Sequence, residues 1–364
     1  MVRPAGAGNS VSLPVWNPDL DDVLLCRAVR TVTATVKTFV FAARTPQRFS
    51  FRSGQHLVFA FHIDGAEVLR SYTLSSPPTR PDTISITVRR RPGGVVSTWL
   101  HDHLHPGQRV RAISEPLGEF TLEDHPAPRY LMLAGGSGIT PFLSMLRRLH
   151  DEGRSPDVVL VHAAHTPADF VQRAELGMLT AETEGLRTVL VPSADDDNWP
   201  GYQGRLSGAM LELIAPDLAG RVVLTCGPES FMSDLQHQLV ALGCDPGHLH
   251  RESFTFADPA VSLQLQDADP AEHLADAGFP VEFVHLGRTV HSPPGSTVLQ
   301  AAAAAGITLP SSCSQGLCGT CKSRLVSGEV DMEHAGGIRP KEIAQGRFLP
   351  CCSVPLTALV VDRI

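Results

Sequence analysis

The chain has 364 residues, 43 % of them hydrophobic and 19 % charged, a composition typical of a folded globular protein. Its length favours two or three domains, and its formal net charge of −8 argues against a nucleic-acid-binding protein. No stretch approaches the roughly 20 apolar residues of a membrane helix, and the N-terminus lacks the apolar core of a signal peptide. We therefore expect a cytoplasmic protein without membrane or nucleic-acid partners.

Composition divides the chain into five segments: a Pro-, Gly- and Ser-rich mobile tail, a basic module, an acidic module, a linker and a C-terminal module. Their predicted bounds are 1–22, 23–126, 127–254, 255–279 and 280–364. Residues 23–126, 127–279 and 280–364 have net charges of +5, −12 and +1, so the linker is counted with the acidic module. A basic module suits a phosphate-bearing ligand, whereas an acidic one is typical of solvated surface.

The first module alternates short strands with turn residues, which predicts a small antiparallel β-barrel. One strand ends in Arg70-Ser71-Tyr72-Thr73. The guanidinium and the hydroxyls offer donors to a phosphate, and the tyrosine ring offers a face to a flat ligand. So short a motif is also compatible with an ordinary strand that carries a surface arginine. It becomes informative because two further segments, TVRR (87–90) and GGVVS (93–97), come after it.

The second module alternates strands with helices, which predicts a doubly wound parallel sheet. An apolar strand, RYLMLA, leads into GGSGITP (135–141) and then a helix. Glycine loops of this kind hold phosphates through backbone amides at a helix N-terminus, although this one is not G-x-G-x-x-G. The candidate binding residues are Gly135, Gly136 and Gly138. A second strand-to-helix corner carries Cys226-Gly227-Pro228, and Cys226 there is equally compatible with a buried thiol.

Five of the eight cysteines lie between residues 313 and 352. Cys313, Cys318 and Cys321 form C-x4-C-x2-C, and Cys351 follows after 29 intervening residues, which is the plant-type spacing for a 2Fe–2S cluster. Structural zinc sites usually have two C-x2-C pairs or added histidines, and only one such pair is present here. Structural disulfides are rare in a reducing compartment. Cys352 competes with Cys351 for the fourth position.

These motifs together resemble two known families. The first two modules resemble the ferredoxin–NADP reductase family, and the C-terminal module resembles a plant-type ferredoxin of the α+β β-grasp fold. The order flavin, nucleotide, cluster resembles the reductase components of multicomponent oxygenases. The stretch 316–355 resembles reductases of glycine-betaine-type demethylating oxygenases, which are Rieske-type enzymes, and also reductases of hybrid-cluster proteins.

The resemblance implies a set of cofactors and site residues. FAD is expected rather than FMN, Cys351 is expected as the fourth cluster ligand, and Cys352 as a packed thiol. Catalytic roles fall on Thr140, Cys226 and Glu252. The flavin is expected to contact Arg70, Ser71, Tyr72, Thr73, Thr87, Val88, Arg89, Gly94, Val95, Val96, Phe254 and Ser97, with Ser97 as the cap of the next helix. The nucleotide is expected to contact Gly135, Gly136, Gly138, Thr140, Cys226, Gly227 and Pro228.

The choice between NADH and NADPH depends on the side chains that come after the second strand of the parallel sheet. His165 and Arg173 are the cationic candidates there. Relatives often carry arginine where His165 stands, and a neutral imidazole binds phosphate weakly. We therefore expect NADH rather than NADPH.

The sequence thus predicts an NAD(P)H-dependent flavin and iron–sulfur oxidoreductase that passes single electrons to a partner. No oxygen-activating motif is recognisable, so a partner that performs the chemistry is expected. The resemblance implies that this partner is a Rieske-type terminal oxygenase acting on a quaternary amine. A hybrid-cluster protein and a haem monooxygenase are alternatives. A carrier subunit that binds flavin and cluster but no nucleotide is an alternative of another class, and the glycine loop and the Cys-Gly-Pro corner argue against it.

Overall fold

The computed structural model describes residues 13–194, 196–253, 278–307, 309, 316, 319, 321–334, 337–338 and 340–362. No helix among these residues is long and apolar enough to cross a membrane. Three sheets, in three successive parts of the chain, organise the molecule.

The first sheet is antiparallel, as the alternating pattern predicts, and it closes into a barrel. Its strands are β1 (Val23–Thr33), β2 (Val36–Ala43), β3 (His56–Ile63), β4 (Ala66–Thr73), β5 (Ile84–Arg89) and β6 (Arg109–Ala112), with α1 (Val95–His103) between the last two. The order β4-β3-β6-β1-β2-β5 leaves β4 and β5 at the edges. A bridge between Leu74 and Ile86 joins those edges. The interior is aromatic, because Phe39, Phe41 and Phe59 are fully buried there.

The N-terminal segment differs from the predicted mobile tail over the part that is described. Trp16 is only 5 % exposed and packs 5.3 Å from the ring of Phe49, and Val15 forms a parallel bridge with Arg48. A tryptophan ring buries a large apolar area, so this contact stabilises the packing of the segment on the barrel. Val15 and Trp16 therefore contact the barrel, which the composition of this segment did not predict.

The second sheet is wholly parallel and covered on both faces. It contains β7 (Arg129–Gly135), β8 (Asp157–Ala164), β9 (Leu186–Pro192), β10 (Val222–Gly227) and β11 (Leu249–Ser253) in the order β11-β10-β7-β8-β9. One face packs on α2 (Thr140–Asp151) and α3 (Arg173–Glu182), the other on α4 (Gly208–Ile214) and α5 (Glu229–Ala241). The winding reverses between β7 and β10, where such sheets form their ligand crevice.

Helix α2 fastens this sheet to the barrel. Ser144 donates from Oγ to the carbonyl oxygen of Ser76 at 2.7 Å. Arg147, which is 8 % exposed, donates to the carbonyl oxygen of Ser75 and holds the carboxylate of Glu175 at 2.6 Å. A buried guanidinium with all these partners fixes the two modules against each other.

The third sheet is mixed and has the grasp architecture. Its elements are β12 (Phe279–Phe283), β13 (Arg288–Ser292), α6 (Val298–Ala304), β14 (Ser323–Ser327), β15 (Val330–Met332), α7 (Pro340–Ala344), β16 (Arg347–Phe348), β17 (Ser353–Pro355) and β18 (Leu359–Asp362). The order is β13-β12-β18-β14-β16, with β15 and β17 as a separate pair. Phe279, the last residue of the predicted linker, is the first residue of β12, and residues 255–277 of that segment lie outside the described chain.

Candidate functional site

The predicted flavin motif occupies the end of β4. Tyr72 lies edge-on to Phe59 and Phe61, at centroid distances of 6.1 and 6.4 Å, and burial raises the pKa of its phenol far above the usual range. Ser71 Oγ and Thr73 Oγ1 are buried and have no hydrogen-bond partner among the described residues. Buried hydroxyls almost always have a partner, so this pair fits the polar atoms of a bound flavin.

The segments after β4 divide into structural and exposed positions. The Thr87 hydroxyl is already hydrogen-bonded within the protein, because its Oγ1 lies 2.9 Å from the hydroxyls of both Thr38 and Ser75. Val88 and Val96 are buried in the barrel core. Only their backbone groups remain for a cofactor. Arg89 is exposed and points toward the second module, where a Cβ on Gly136 would lie 3.5 Å from its Nη1.

The cap of α1 differs from the expectation. Gly94, rather than Ser97, is the N-cap, and Ser97 lies in the first turn with its Oγ accepting from the Arg91 amide at 3.2 Å. A Cβ on Gly94 would approach that Oγ to 2.6 Å. The backbone N–H groups of Val95 and Val96 are in the first turn of the helix, where no intrahelical acceptor exists, so they are available to an anion.

The glycine loop follows β7 as predicted. Gly138 packs directly on the second corner, since a Cβ there would lie 2.2 Å from the Cys226 carbonyl oxygen, and one on Gly135 would touch Pro228 at 3.0 Å. Glycine is therefore required where the loop and the Cys-Gly-Pro corner meet. Thr140 begins α2, is buried, and donates from Oγ1 to the carbonyl oxygen of Ser137 at 3.2 Å.

Cys226 and Glu252 sit side by side at the carboxyl ends of β10 and β11. They are partners in the parallel register, and Gly227 follows next to Ser253. Burial raises the pKa of Glu252 to about 8, and burial together with Glu252 raises the pKa of Cys226 well above its usual value. Both groups therefore carry a proton at neutral pH. Phe254 lies outside the described residues.

His56 is a site residue that the motifs did not identify. It pairs with Thr73 in the antiparallel register of β3 and β4, and its Nδ1 lies 3.9 Å from Glu252 Oε1. Both side chains are nearly buried, at 6 % and 11 % exposure. The only sequence signal is a histidine at the start of an otherwise apolar strand. It links the flavin motif to the nucleotide corner.

His165 and Arg173, the two candidates for a 2′-phosphate, have different neighbours. His165 lines a cavity between barrel and sheet with Arg89, Gly136, Ser137 and Asp169. Arg173 does not line this cavity. Its guanidinium carbon lies 5.1 Å from the ring centroid of Trp199.

Two of the four predicted cluster cysteines are described, and they lie together. The Sγ atoms of Cys321 and Cys351 are 3.1 Å apart, both residues are buried, and the Gly316 amide donates to Cys351 Sγ at 3.3 Å. Hydrogen bonds from backbone amides to ligand sulfurs are typical of iron–sulfur sites, where they help to set the reduction potential. Cys352 instead directs its Sγ to the Leu349 carbonyl oxygen, 3.7 Å away. Cys313 and Cys318 lie outside the described residues.

The cysteine loop faces the barrel. A small cavity has Val58, Leu69, Ile113, Ser114 and Leu117 on the barrel side and Gly319, Lys322, Gly337, Ile338 and Glu342 on the other. Lys322, next to Cys321, forms a 2.7 Å ion pair with the buried carboxylate of Glu342. The cluster side of the third module therefore lies against β3 and β4, the strands that present the flavin motif.

This architecture defines an FAD- and NAD-dependent oxidoreductase with a built-in 2Fe–2S domain. Three family models match in chain order: an oxidoreductase FAD-binding domain over 25–122, an oxidoreductase NAD-binding domain over 132–237, and a 2Fe-2S iron-sulfur cluster binding domain over 283–356. The matches confirm the predicted fold class and the cofactor set of FAD, NAD and a 2Fe–2S cluster.

Similar proteins of known function define the family more narrowly than the domain matches do. The glycine betaine monooxygenase reductase subunit of Pseudomonas aeruginosa (strain UCBPP-PA14) is 41 % identical over 348 residues, 93 % of this chain and 94 % of its own. The stachydrine N-demethylase reductase subunit of Rhizobium meliloti (strain 1021) is 38 % identical over 330 residues, 90 % and 92 % of the two chains. The chain belongs to this family of oxygenase reductase components.

The solved structure of phthalate dioxygenase reductase has the same fold. It superposes with a TM-score of 0.57, over 95 % of this chain and 100 % of the other, at 24 % identity. The predicted electron-transfer reductase, which takes its electrons from NAD(P)H and gives them to a terminal oxygenase, is confirmed at the level of class.

Proposed function

We propose that this chain is the NADH-dependent reductase of a Rieske-type oxygenase that demethylates a quaternary amine. The observation that carries the proposal is the continuity of the three sites. The glycine loop touches Cys226, Cys226 pairs with Glu252, Glu252 faces His56, and β3 and β4 meet the cysteine loop. The names of two relatives, which refer to glycine betaine and stachydrine, support a betaine as the substrate of the partner.

The barrel residues would hold the flavin. Arg70, Ser71 and Thr73 at the end of β4, with the first-turn amides of α1, provide donors for its phosphates and ring edge. Tyr72 stays a neutral phenol and supplies an aromatic wall. When bound, the flavin accepts a hydride from the reduced nucleotide and releases electrons singly to the cluster.

The nucleotide corner would position the nicotinamide and control protons. Gly135, Gly136 and Gly138 leave room for a diphosphate at the start of α2, and Gly227 and Pro228 open the facing corner. Thr140 fixes the loop through its bond to Ser137. Cys226 presents an uncharged thiol, and Glu252 holds a proton at neutral pH that it releases only in mildly alkaline solution.

The cluster would be held by Cys313, Cys318, Cys321 and Cys351. The close approach of two of the sulfur atoms and the Gly316 amide support this set. Because thiolate ligands require reducing conditions, we also propose that the protein works in the cytoplasm. The modules 23–126, 127–254 and 280–364 would be its flavin, nucleotide and ferredoxin domains, with residues 13–22 added to the first.

Reconstitution tests the proposal. The purified reductase is mixed with a purified glycine betaine demethylating oxygenase, NADH, glycine betaine and oxygen, and the formaldehyde released is compared with the NADH consumed. One formaldehyde per NADH supports the proposal. Reduction of the cluster by NADH without reduction of the oxygenase would contradict the partner while leaving the reductase class intact. Immunoblotting of cell fractions against a periplasmic marker tests the compartment.

A further inference from the structure

A row of aromatic rings runs from the glycine loop to Arg173. His162 lies 3.0 Å from the Gly136 carbonyl oxygen through Nε2, and its ring is 5.4 Å from that of Phe170. The Phe170 ring is in turn 5.5 Å from the Trp199 ring, and the guanidinium carbon of Arg173 lies over the Trp199 ring, 5.1 Å from its centroid. The row thus ties the position of a cationic side chain to the phosphate-binding loop.

Trp199 is fixed in place by its own loop. Its Nε1 donates to the Tyr202 carbonyl oxygen at 3.0 Å, and its backbone amide donates to the carbonyl oxygen of Asp196 at 2.9 Å. These two hydrogen bonds hold the half-buried indole in one orientation. A guanidinium over the face of such a ring is attracted by the ring quadrupole.

The cavity beside the row has a carboxylate where a phosphate binder would be expected. Asp169 lines it and is oriented by the amide and hydroxyl of Thr166, at 3.1 and 2.7 Å. His165 reaches Ser193 Oγ at 3.3 Å. Asp169 is thus the acidic side chain that the nucleotide-binding module places at this cavity, Arg89 of the barrel lines it as well, and Arg173 is not among its lining residues.

We propose that Trp199 is a specificity-determining residue, which holds Arg173 away from the nucleotide cavity and so disfavours the 2′-phosphate of NADPH. Asp169 acts in the same direction by repelling that phosphate. The inference rests on the proposed NADH-dependent function and deepens it, because it names the residues that select the nucleotide. Trp199 acts through Arg173 and is a positioning residue.

The test measures binding of two fragments to the full-length holoprotein by calorimetry. The probes are 2′,5′-ADP, which carries the 2′-phosphate, and 5′-AMP, which lacks it. In Trp199→Leu, Arg173 loses its aromatic face, and the affinity for 2′,5′-ADP relative to 5′-AMP is expected to rise about two- to fivefold, as the size of an exposed cation–π contact implies. Trp199→Phe keeps a ring and should preserve the wild-type ratio.

A second substitution separates release of Arg173 from a general loosening of the loop. In Trp199→Leu/Arg173→Gln the rise in affinity for 2′,5′-ADP relative to 5′-AMP should disappear. A loosened loop would instead change the affinities for the two fragments together and leave their ratio unaltered. An unchanged ratio in Trp199→Leu, or a gain that survives Arg173→Gln, would overturn the proposal.

The single variant Arg173→Gln tests the same claim even if Trp199→Leu does not fold. Because Arg173 is held on the indole, its replacement should change wild-type 2′,5′-ADP affinity less than twofold, and a tenfold loss would show that it already binds the phosphate. Bleaching of wild-type flavin by NADH is recorded in parallel. If NADH does not bleach the wild-type flavin, the proposed function itself is wrong. If it does, but the affinity ratio of the two fragments does not rise in Trp199→Leu, only the role of Trp199 is wrong.

Discussion

The Nδ1 atom of His56 lies 3.9 Å from Oε1 of Glu252, and this approach joins the barrel to the nucleotide sheet. His56 begins β3 opposite Thr73, and Glu252 lies beside Cys226. The predicted flavin motif on β4 and the Cys226–Glu252 corner, which are far apart in sequence, therefore share one nearly buried contact.

Glu252 should make stability depend on pH. Burial raises its pKa in the folded protein to about 8, whereas the unfolded chain releases the proton near the ordinary value of 4.5. The stability that this proton provides is complete below pH 4.5 and is lost as the pH rises toward 8. Glu252→Gln removes this contribution to the pH dependence of the free energy of unfolding.

Urea titrations between pH 5 and 8 check this prediction. Relative to wild type, Glu252→Gln should gain free energy of unfolding with rising pH, by at most about 1.4 kcal/mol per pH unit. Glu212→Gln, on the exposed side of α4, is the matched control and should follow wild type. A difference between Glu252→Gln and wild type that stays constant with pH would contradict the assignment.

Thr73 and Thr87 should respond oppositely to the same substitution. Thr73→Val removes a buried hydroxyl that has no protein partner in the described chain, so flavin affinity should fall about fivefold, the worth of one hydrogen bond. Thr87→Val breaks bonds to Thr38 and Ser75, so it should cost about 1–3 kcal/mol of stability with little change in flavin affinity.

Flavin release by dilution and urea unfolding, both on purified holoprotein, separate the two effects. Loss of flavin affinity in Thr87→Val without loss of stability would reverse the assignment.

Cys351 and Cys352 are adjacent but should differ completely in their effect on the cluster. Cys351→Ala removes the sulfur that lies 3.1 Å from Cys321, so visible iron–sulfur absorption and bound iron should be lost while flavin is retained. Cys352→Ala removes a thiol turned to Leu349 and should retain both cofactors. Iron analysis of the two variants decides the matter, and full iron content in Cys351→Ala would contradict the ligand set.

The ion pair between Lys322 and Glu342 should support contact between cluster and barrel. Glu342→Gln leaves Lys322 and Arg347 without their shared carboxylate, and the loss of charged partners should cost about 1–3 kcal/mol of ferredoxin-domain stability. Because this pair lines the cavity that faces β3 and β4, reduction of the cluster after reduction of the flavin should also slow.

Stopped-flow absorbance with NADH separates the two phases. The exposed Glu333→Gln serves as the control, and equal second-phase rates in both variants would show that the ion pair has no part in the contact.

Local patterns were sufficient for the barrel, the parallel sheet and the cluster spacing, because each follows from strand alternation, strand–helix alternation or ligand geometry. Trp16 could not be placed in this way, since one aromatic residue in a Pro- and Gly-rich segment has no periodicity. His56 and the Arg173–Trp199 contact depend on register and on loop conformation, which residue types do not specify. Thr87 shows the same limit, because its strand was predicted but the direction of its hydroxyl was not.

An anaerobic titration of the purified holoprotein with NADH, followed by visible absorption, decides whether this chain is a nucleotide-driven reductase. We predict that the flavin and iron–sulfur bands both bleach, and that NADH acts faster than NADPH in a parallel titration. If both cofactors are present and neither nucleotide bleaches them, the chain is a carrier that receives its electrons elsewhere, and the function proposed for the Cys226–Glu252 corner is wrong.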